Sequence, residues 1–532
     1  MRQRISLIVM IFSLLLATAS GVVSTRAAGT PVAKSSSTLA WRACATPQLP
    51  TRECAEFVVP LDYDELQGQT ISLAVSRVPA TDQATRIGSL FLNPGGPGGS
   101  GMLALPIQYA TMPAELHKRF DVVGFDPRGV GDSAPVHCFA SIAELTAFTW
   151  QYLSEWIVPA NPADKAAAIA ALKDVTRRCG ELNAGILPHV STANVARDLD
   201  LLRQAVGDKQ LNYLGTSYGT YLGETYANLF PDKIRAMVLD GTINPPSYTS
   251  FNHGDGKIVG PDTTSFLRIL SPEASTAALE EFFAQCADAG PEHCAFAAPT
   301  AKETHAKFDD LIAKLRAKPA IVTGPAGTLT VTYSLVVFVV WNALYMAPLW
   351  PTLAEGLQHL AEGNTAGFLA AIPGGTGVPL PTAYVNTYDG QWAINCVDTD
   401  NPSDTALYKE IAKSVAERSP YFGELWLYQS LPCAFWPAQD EDQYTGPWNA
   451  KTSATILIIS RVFDPATPHG GAIAAEKTLG NARLLTIDGW GHGYFTAGKS
   501  TCADEAMAAY LIDGQLPPAG TICAEDEPPF GK

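Results

Sequence analysis

From about Phe57 the chain alternates short apolar runs with amphipathic stretches. Ile71–Val78, Ile87–Leu92, Phe120–Phe125, Gln210–Leu214 and Ile234–Leu239 read as strands. Thr192–Val206 reads as a helix, because Val195, Leu199, Leu202 and Val206 fall on one face. Strands separated by helices imply a mostly parallel sheet with helices on both faces. The rhythm changes between about Asn244 and Trp448, where the pattern becomes helical and irregular. Ser271-Pro272 opens one helix, with serine as cap and proline at the first position. Thr300 with Glu303 forms a capping box before Leu311 and Leu315, and Asp404–Glu417 reads as another helix. The strand pattern returns at Ala454–Ser460 and Arg483–Ile487.

The pattern therefore predicts an α/β class, with an inserted, mainly helical cap. The expected boundaries are a core at 57–244, a cap at 245–448 and a second core part at 449–532. The apolar stretch 331–350 has the length of a membrane span. It contains Tyr333, Asn342, Tyr345 and Pro348, and its most apolar part is short, so a buried cap helix is expected there.

The first residues change the picture of where the chain works. Arg2 and Arg4 precede an apolar core, 5–17, and A-x-A-like cleavage sites follow at Ala17–Ala19 and Ala27–Gly29. Residues 1–28 read as a signal peptide and 29–56 as an N-terminal leader, so the mature chain is expected outside the cytoplasm with no stable membrane span. Ten cysteines suit an oxidising compartment. Their spacing favours Cys44–Cys54, Cys138–Cys179, Cys286–Cys294, Cys396–Cys433 and Cys502–Cys523, although connectivity is not fixed by sequence alone. With no C-x-x-C pair and no histidine at ligand spacing beside a cysteine, no metal is expected. The net charge of −16 argues against nucleic acid as a partner.

Candidate chemistry sits where predicted strands end. Gly215-Thr216-Ser217-Tyr218-Gly219 is G-x-S-x-G in a strand–turn–helix setting, which makes Ser217 a candidate nucleophile. A serine hydroxyl stays protonated at neutral pH and needs an adjacent base. His492 follows the last predicted strand, and Asp464 follows the one before it. The chain order Ser, Asp, His is that of an α/β-hydrolase. Asp240 is the competing acid, whereas Asp488 is too close to His492 along one loop. An oxyanion needs aimed N–H donors, for which Tyr218 and Gly96, in the loop Asn93-Pro94-Gly95-Gly96-Pro97-Gly98-Gly99, are the candidates. That loop lacks the lysine of a phosphate loop, and no cofactor is expected.

Asn93–Gly101, Asp126–Ser133, Asn194–Leu199, Gly215–Gly223, Ala393–Asp398, Asp464–Pro468 and Gly491–Gly493 resemble the exported tripeptidyl aminopeptidases of bacteria and, more distantly, the proline iminopeptidases. The resemblance implies an α/β-hydrolase fold, a helical cap and a C-terminal segment, about 432–523, that completes the core. Asn93 departs from proline iminopeptidases, which carry histidine there. The implied activity is a serine exopeptidase that releases tripeptides from peptides with a free N-terminus. Such an enzyme needs a group that recognises an α-ammonium, for which Asp398 and Glu224 are the candidates. Asp126 and Arg128 are expected to brace the loops near the oxyanion hole. The rival readings are a carboxylesterase or lipase-like enzyme with the same triad, and a non-catalytic binding protein on the same scaffold.

Overall fold

A computed structural model describes residues 38–249, 264–324, 327–371, 383–493 and 497–531. The expected signal peptide lies outside these residues. The strands in chain order are β1 Arg42–Ala43, β2 Glu53–Pro60, β3 Thr70–Val78, β4 Gly88–Asn93, β5 Phe120–Phe125, β6 Leu211–Thr216, β7 Ile234–Asp240, β8 Ala320–Gly324, β9 Gly327–Val331, β10 Ile456–Phe463, β11 Ala482–Trp490 and β12 Ile522–Ala524. Ten of them form one sheet in the order β1-β2-β3-β5-β4-β6-β7-β10-β11-β12. The pairings from β1 to β5 in that order are antiparallel. Those from β5 to β12 are parallel. This is the α/β-hydrolase arrangement.

Burial on both faces explains why the central strands are almost wholly apolar. Along β4, Phe91 joins one core, with Val123, Tyr213 and Met237, while Leu90 and Leu92 join the opposite one, with Val122, Leu214 and Val238. The period of two thus feeds two separate cores from one strand.

Two boundaries differ from the sequence expectation. Part of the leader assigned to 29–56 is structured, since β1 and the first half of β2 lie within it and Cys44–Cys54 ties them. Ala55, Phe57 and Val59 are buried while Glu56 is exposed. That short alternation makes a strand, set between β1 and β3, which the apolar count alone did not reveal. The other difference is larger. Residues 142–183, inside the segment assigned wholly to the core, form the helices Ile142–Gln151 and Pro162–Asn183. Tyr152, Leu172 and Cys179 share one hydrophobic cluster with Phe282, Trp341, Trp350, Trp392 and Leu427 of the later insertion. Val158 N donates to Ser334 Oγ at 3.3 Å, and the Tyr152 and Trp392 rings meet edge to face at 6.0 Å. The cap is therefore built from two insertions. An amphipathic period shows that a helix buries one face but not which layer receives it.

The cap is mainly helical, with one hairpin, β8–β9. The apolar stretch forms the buried helix Tyr333–Leu344, and no described helix is long and apolar enough to cross a membrane. Thr300 caps its helix as expected, accepting from Glu303 N at 3.2 Å. Ser271 does not act as a cap. The helix Ser271–Ala289 is preceded by Leu270 at φ 66°, and the Ser271 hydroxyl donates instead to Ala466 O at 2.6 Å. All five disulfides form with the expected neighbours.

Arg128 ties together the segments around Pro60, His189 and Asp198. Its guanidinium is fully buried and grips Asp198 through two bonds of 2.7 Å. It also donates to Leu61 O, His189 O and Pro60 O. Asp126 accepts from Ser100 Oγ, Met102 N and Asp132 N. Replacing Arg128 by methionine strands the buried Asp198 charge, so denaturant unfolding should show a loss of roughly 3–5 kcal/mol.

Candidate active site

The carboxyl ends of adjacent parallel strands converge at one edge of the sheet, where ligand sites of open α/β sheets lie. Ser217 stands between β6 and the helix Tyr218–Leu229, with φ 59° and ψ −128°. A non-glycine residue in that region is strained and persists only when its surroundings enforce it. Here Ser217 N donates to Asp240 O at 2.9 Å, and the backbone of Gly95 presses on the turn. A Cβ at Gly95 would stand 2.4 Å from Thr216 O and 2.9 Å from both Ser217 Cβ and Tyr218 N, so only glycine fits. Asn93 Oδ1 holds this loop by accepting from Gly95 N at 2.9 Å. Tyr218 is the first residue of its helix, so its N–H has no acceptor within the helix. Gly96, Ser217 and Tyr218 line the same cavity.

Asp464 directly follows β10. Its carboxylate accepts from Ala466 N at 2.8 Å, Thr467 N at 2.9 Å and Thr467 Oγ1 at 3.0 Å. His492 Nδ1 lies 2.9 and 2.8 Å from the two Asp464 oxygens. Nδ1–H then donates to the carboxylate, and the neutral ring keeps its proton acceptor at Nε2. Burial alone would lower the pKa of His492. The charge and hydrogen bond of Asp464, with help from Asp240, outweigh that and hold it above the usual 6.5. Asp464 is the aspartate bonded to Nδ1, and Asp240 adds its charge. Asp488 lies within β11 and pairs in register with Ala524.

The cap supplies parts of the site that no sequence pattern signalled. His492 N donates to Tyr345 O at 2.9 Å, and the Tyr345 ring meets the imidazole edge to face at 4.9 Å. Thr467 did carry a signal. An aspartate whose side chain accepts from the backbone two and three residues on makes a tight local turn, and the third residue is a threonine. The helix itself starts at His469 with Pro468 as cap.

A narrow cleft opens over Ser217. Its lining is aromatic and aliphatic, including Tyr248, Phe266, Phe338, Trp341 and Trp426, with Asn342, Gln391 and Gln429 as neutral polar members. Among the described residues no charged side chain lines it. Neither ammonium candidate is there. Asp398 is fully buried behind the wall and accepts from Thr192 N at 3.0 Å and Thr192 Oγ1 at 2.5 Å. Burial, opposed by those bonds and aided by the charge of Asp440, pushes its pKa up to about 8. Glu224 is also fully buried, and neither of its oxygens meets a donor among the described residues. Burial pushes its pKa well above the carboxylate range. Glu224 lies in the packed interior because the nucleophile helix is buried on nearly every face.

Residues 88–284 match the family described as alpha/beta hydrolase fold, and residues 419–523 match the family described as TAP-like protein. Serine protease Hip1 of Mycobacterium tuberculosis is 34% identical, over 88% of this chain and 87% of its own. The chain belongs to the TAP-like α/β-hydrolases. It is a serine hydrolase. Tripeptidyl aminopeptidase of Streptomyces lividans is 32% identical over 92% of this chain and 87% of its own. Carboxylesterase B of Mycobacterium tuberculosis is 32% identical over 91% and 89%.

With His492 as base, the TAP-like hydrolase needs its ring neutral. The kcat/KM profile should therefore rise through an acid limb centred above pH 6.5. Asp464→Asn should move that limb down and reduce kcat by about 10⁴-fold, the order found when a triad carboxylate becomes an amide. A pH-rate series on both proteins checks this.

Proposed function

We propose that the protein is an exported serine exopeptidase that releases short peptides, foremost tripeptides, from free N-termini. The carrying observation is the joint placement of Ser217 in a strained elbow and of His492 on Asp464, at the carboxyl ends of β6, β10 and β11. Ser217 Oγ attacks the scissile carbonyl carbon while His492 Nε2 takes its proton. The tetrahedral oxyanion is held by the N–H groups of Gly96 and Tyr218. The C–N bond then breaks, His492 returns the proton to the departing amine, and the acyl group stays on Ser217. Water attacks the ester by the same route in reverse and frees serine. Asp464 keeps the imidazole oriented and stabilises its cationic form.

The relative named tripeptidyl aminopeptidase supports the substrate class, and five disulfides support work in an oxidising compartment. Recognition of the amine by a carboxylate at Asp398 or Glu224 has no support from their positions. The cavity offers an ammonium the amide oxygens of Asn342, Gln391 and Gln429 and the faces of Tyr248, Trp341 and Trp426. The uncharged lining and the relative named carboxylesterase B favour one second reading, hydrolysis of esters with apolar acyl groups.

A chromogenic amide of a free-amine tripeptide, its N-acetylated twin and a short p-nitrophenyl ester separate the two, with Ser217→Ala as control. We expect the free tripeptide to be cleaved, the blocked twin to be spared and Ser217→Ala to be inert. Cleavage of the ester alone would replace the peptidase by the esterase.

A further inference from the structure

The helix Thr387–Asp398 has 12 residues, about 18 Å of length at 1.5 Å per residue. Its two ends touch the two walls that flank Ser217. At the first wall, the glycine-rich loop lies directly on its opening turn. A Cβ at Gly98, where φ is 88°, would stand 2.4 Å from Thr387 O and 2.6 Å from Gln391 N. The loop that carries Gly96 therefore packs on this turn with no room for a side chain at Gly98. At the other end, Asp398 accepts from the Thr192 hydroxyl at 2.5 Å. The same Thr192 hydroxyl is hydrogen-bonded to the Tyr218 hydroxyl. Tyr218 directly follows the nucleophile and provides the second N–H.

The helix is itself fixed. Asn386, just before it, donates to Gly129 O at 2.8 Å and Val136 O at 3.0 Å and accepts from Gly131 N at 3.0 Å. Asp389 accepts from Cys138 N at 3.0 Å. Cys396 is bonded to Cys433 near the far end.

We propose that the cap helix Thr387–Asp398 sets the spacing of the two oxyanion donors, with Asp398 acting through Thr192 as the positioning residue for Tyr218. This rests on the assignment of Ser217, Gly96 and Tyr218 made above. It gives Asp398 a role that requires no contact with substrate. It also ties the cap to catalysis itself, since the strut that roofs the cleft is the one that aligns the hole. Misalignment of one donor weakens the transition state and leaves ground-state binding alone.

The test uses Tyr218→Phe, Thr192→Val and Asp398→Asn, with Thr192→Ser as the conservative variant. Each is measured for kcat and KM on whichever chromogenic substrate the wild type cleaves. Each is also measured for the affinity of a trifluoromethyl ketone of the same acyl chain, whose adduct with serine carries an oxyanion, and of the product acid. We expect kcat and ketone affinity to fall together by about tenfold or more, with KM and product affinity within about threefold. Thr192→Ser, which keeps the hydroxyl, should recover most of what Thr192→Val loses. Wild-type kcat in folded Tyr218→Phe and Thr192→Val would overturn the proposal, even if Asp398→Asn fails to fold. Equal weakening of ketone and product would overturn it too, because that marks a general loss of structure. A fluorophosphonate probe tests the underlying site separately. Labelling of wild type that is lost in Ser217→Ala upholds that assignment whatever the other variants do, and no labelling of wild type would overturn both.

Discussion

Buried backbone donors and acceptors must find partners, and at the carboxyl ends of β6, β10 and β11 many of those partners belong to the cap. The loop after β10 gives Pro465 O and Ala466 O to the hydroxyls of Ser275 and Ser271 on a cap helix. The loop after β11 gives His492 N to Tyr345 O. Behind the elbow after β6, Thr192 N and Tyr218 are held through Asp398. The sheet fixes where these loops start, and the cap fixes where they finish. Each loop carries one candidate catalytic group, so cap and site form one hydrogen-bonded unit.

The same dependence accounts for the strain at Ser217. A positive φ costs of order 1–3 kcal/mol and needs support from several sides. Asp240 O takes the amide, Gly95 closes on the turn without a side chain, and Tyr218 is anchored at its hydroxyl. The cap's large shared cluster, assembled from two insertions and closed by Cys138–Cys179 and Cys396–Cys433, supplies the rigidity those contacts require.

The electrostatics follow from burial. The cleft is lined by neutral groups, whereas the charges around it are packed out of reach behind the wall. Asp464 meets this with four donors, one of them the imidazole. Among the described residues Asp398 has only the amide and hydroxyl of Thr192, and burial pushes its pKa up to about 8. Glu224 has no donor among the described residues. Burial therefore makes Asp398 and Glu224 ionise less readily than an ordinary carboxylate.

The sequence by itself determined the fold class, the central strands and the family, and its cysteine spacing favoured the pairs that form. These rest on local information: apolar periodicity, short spacings and glycines at a turn of fixed shape. β3, β5, β6 and β7 lie within a residue or two of where the pattern put them, because a strand buried on both faces leaves a nearly continuous apolar run. Tertiary structure alone decided that residues 142–183 join the cap, that Asp398 faces Thr192 instead of the cleft and that Tyr345 holds the His492 loop. Each of these is a contact between segments more than a hundred residues apart. Periodicity fixes which face of an element is buried, and only packing fixes what is buried against it.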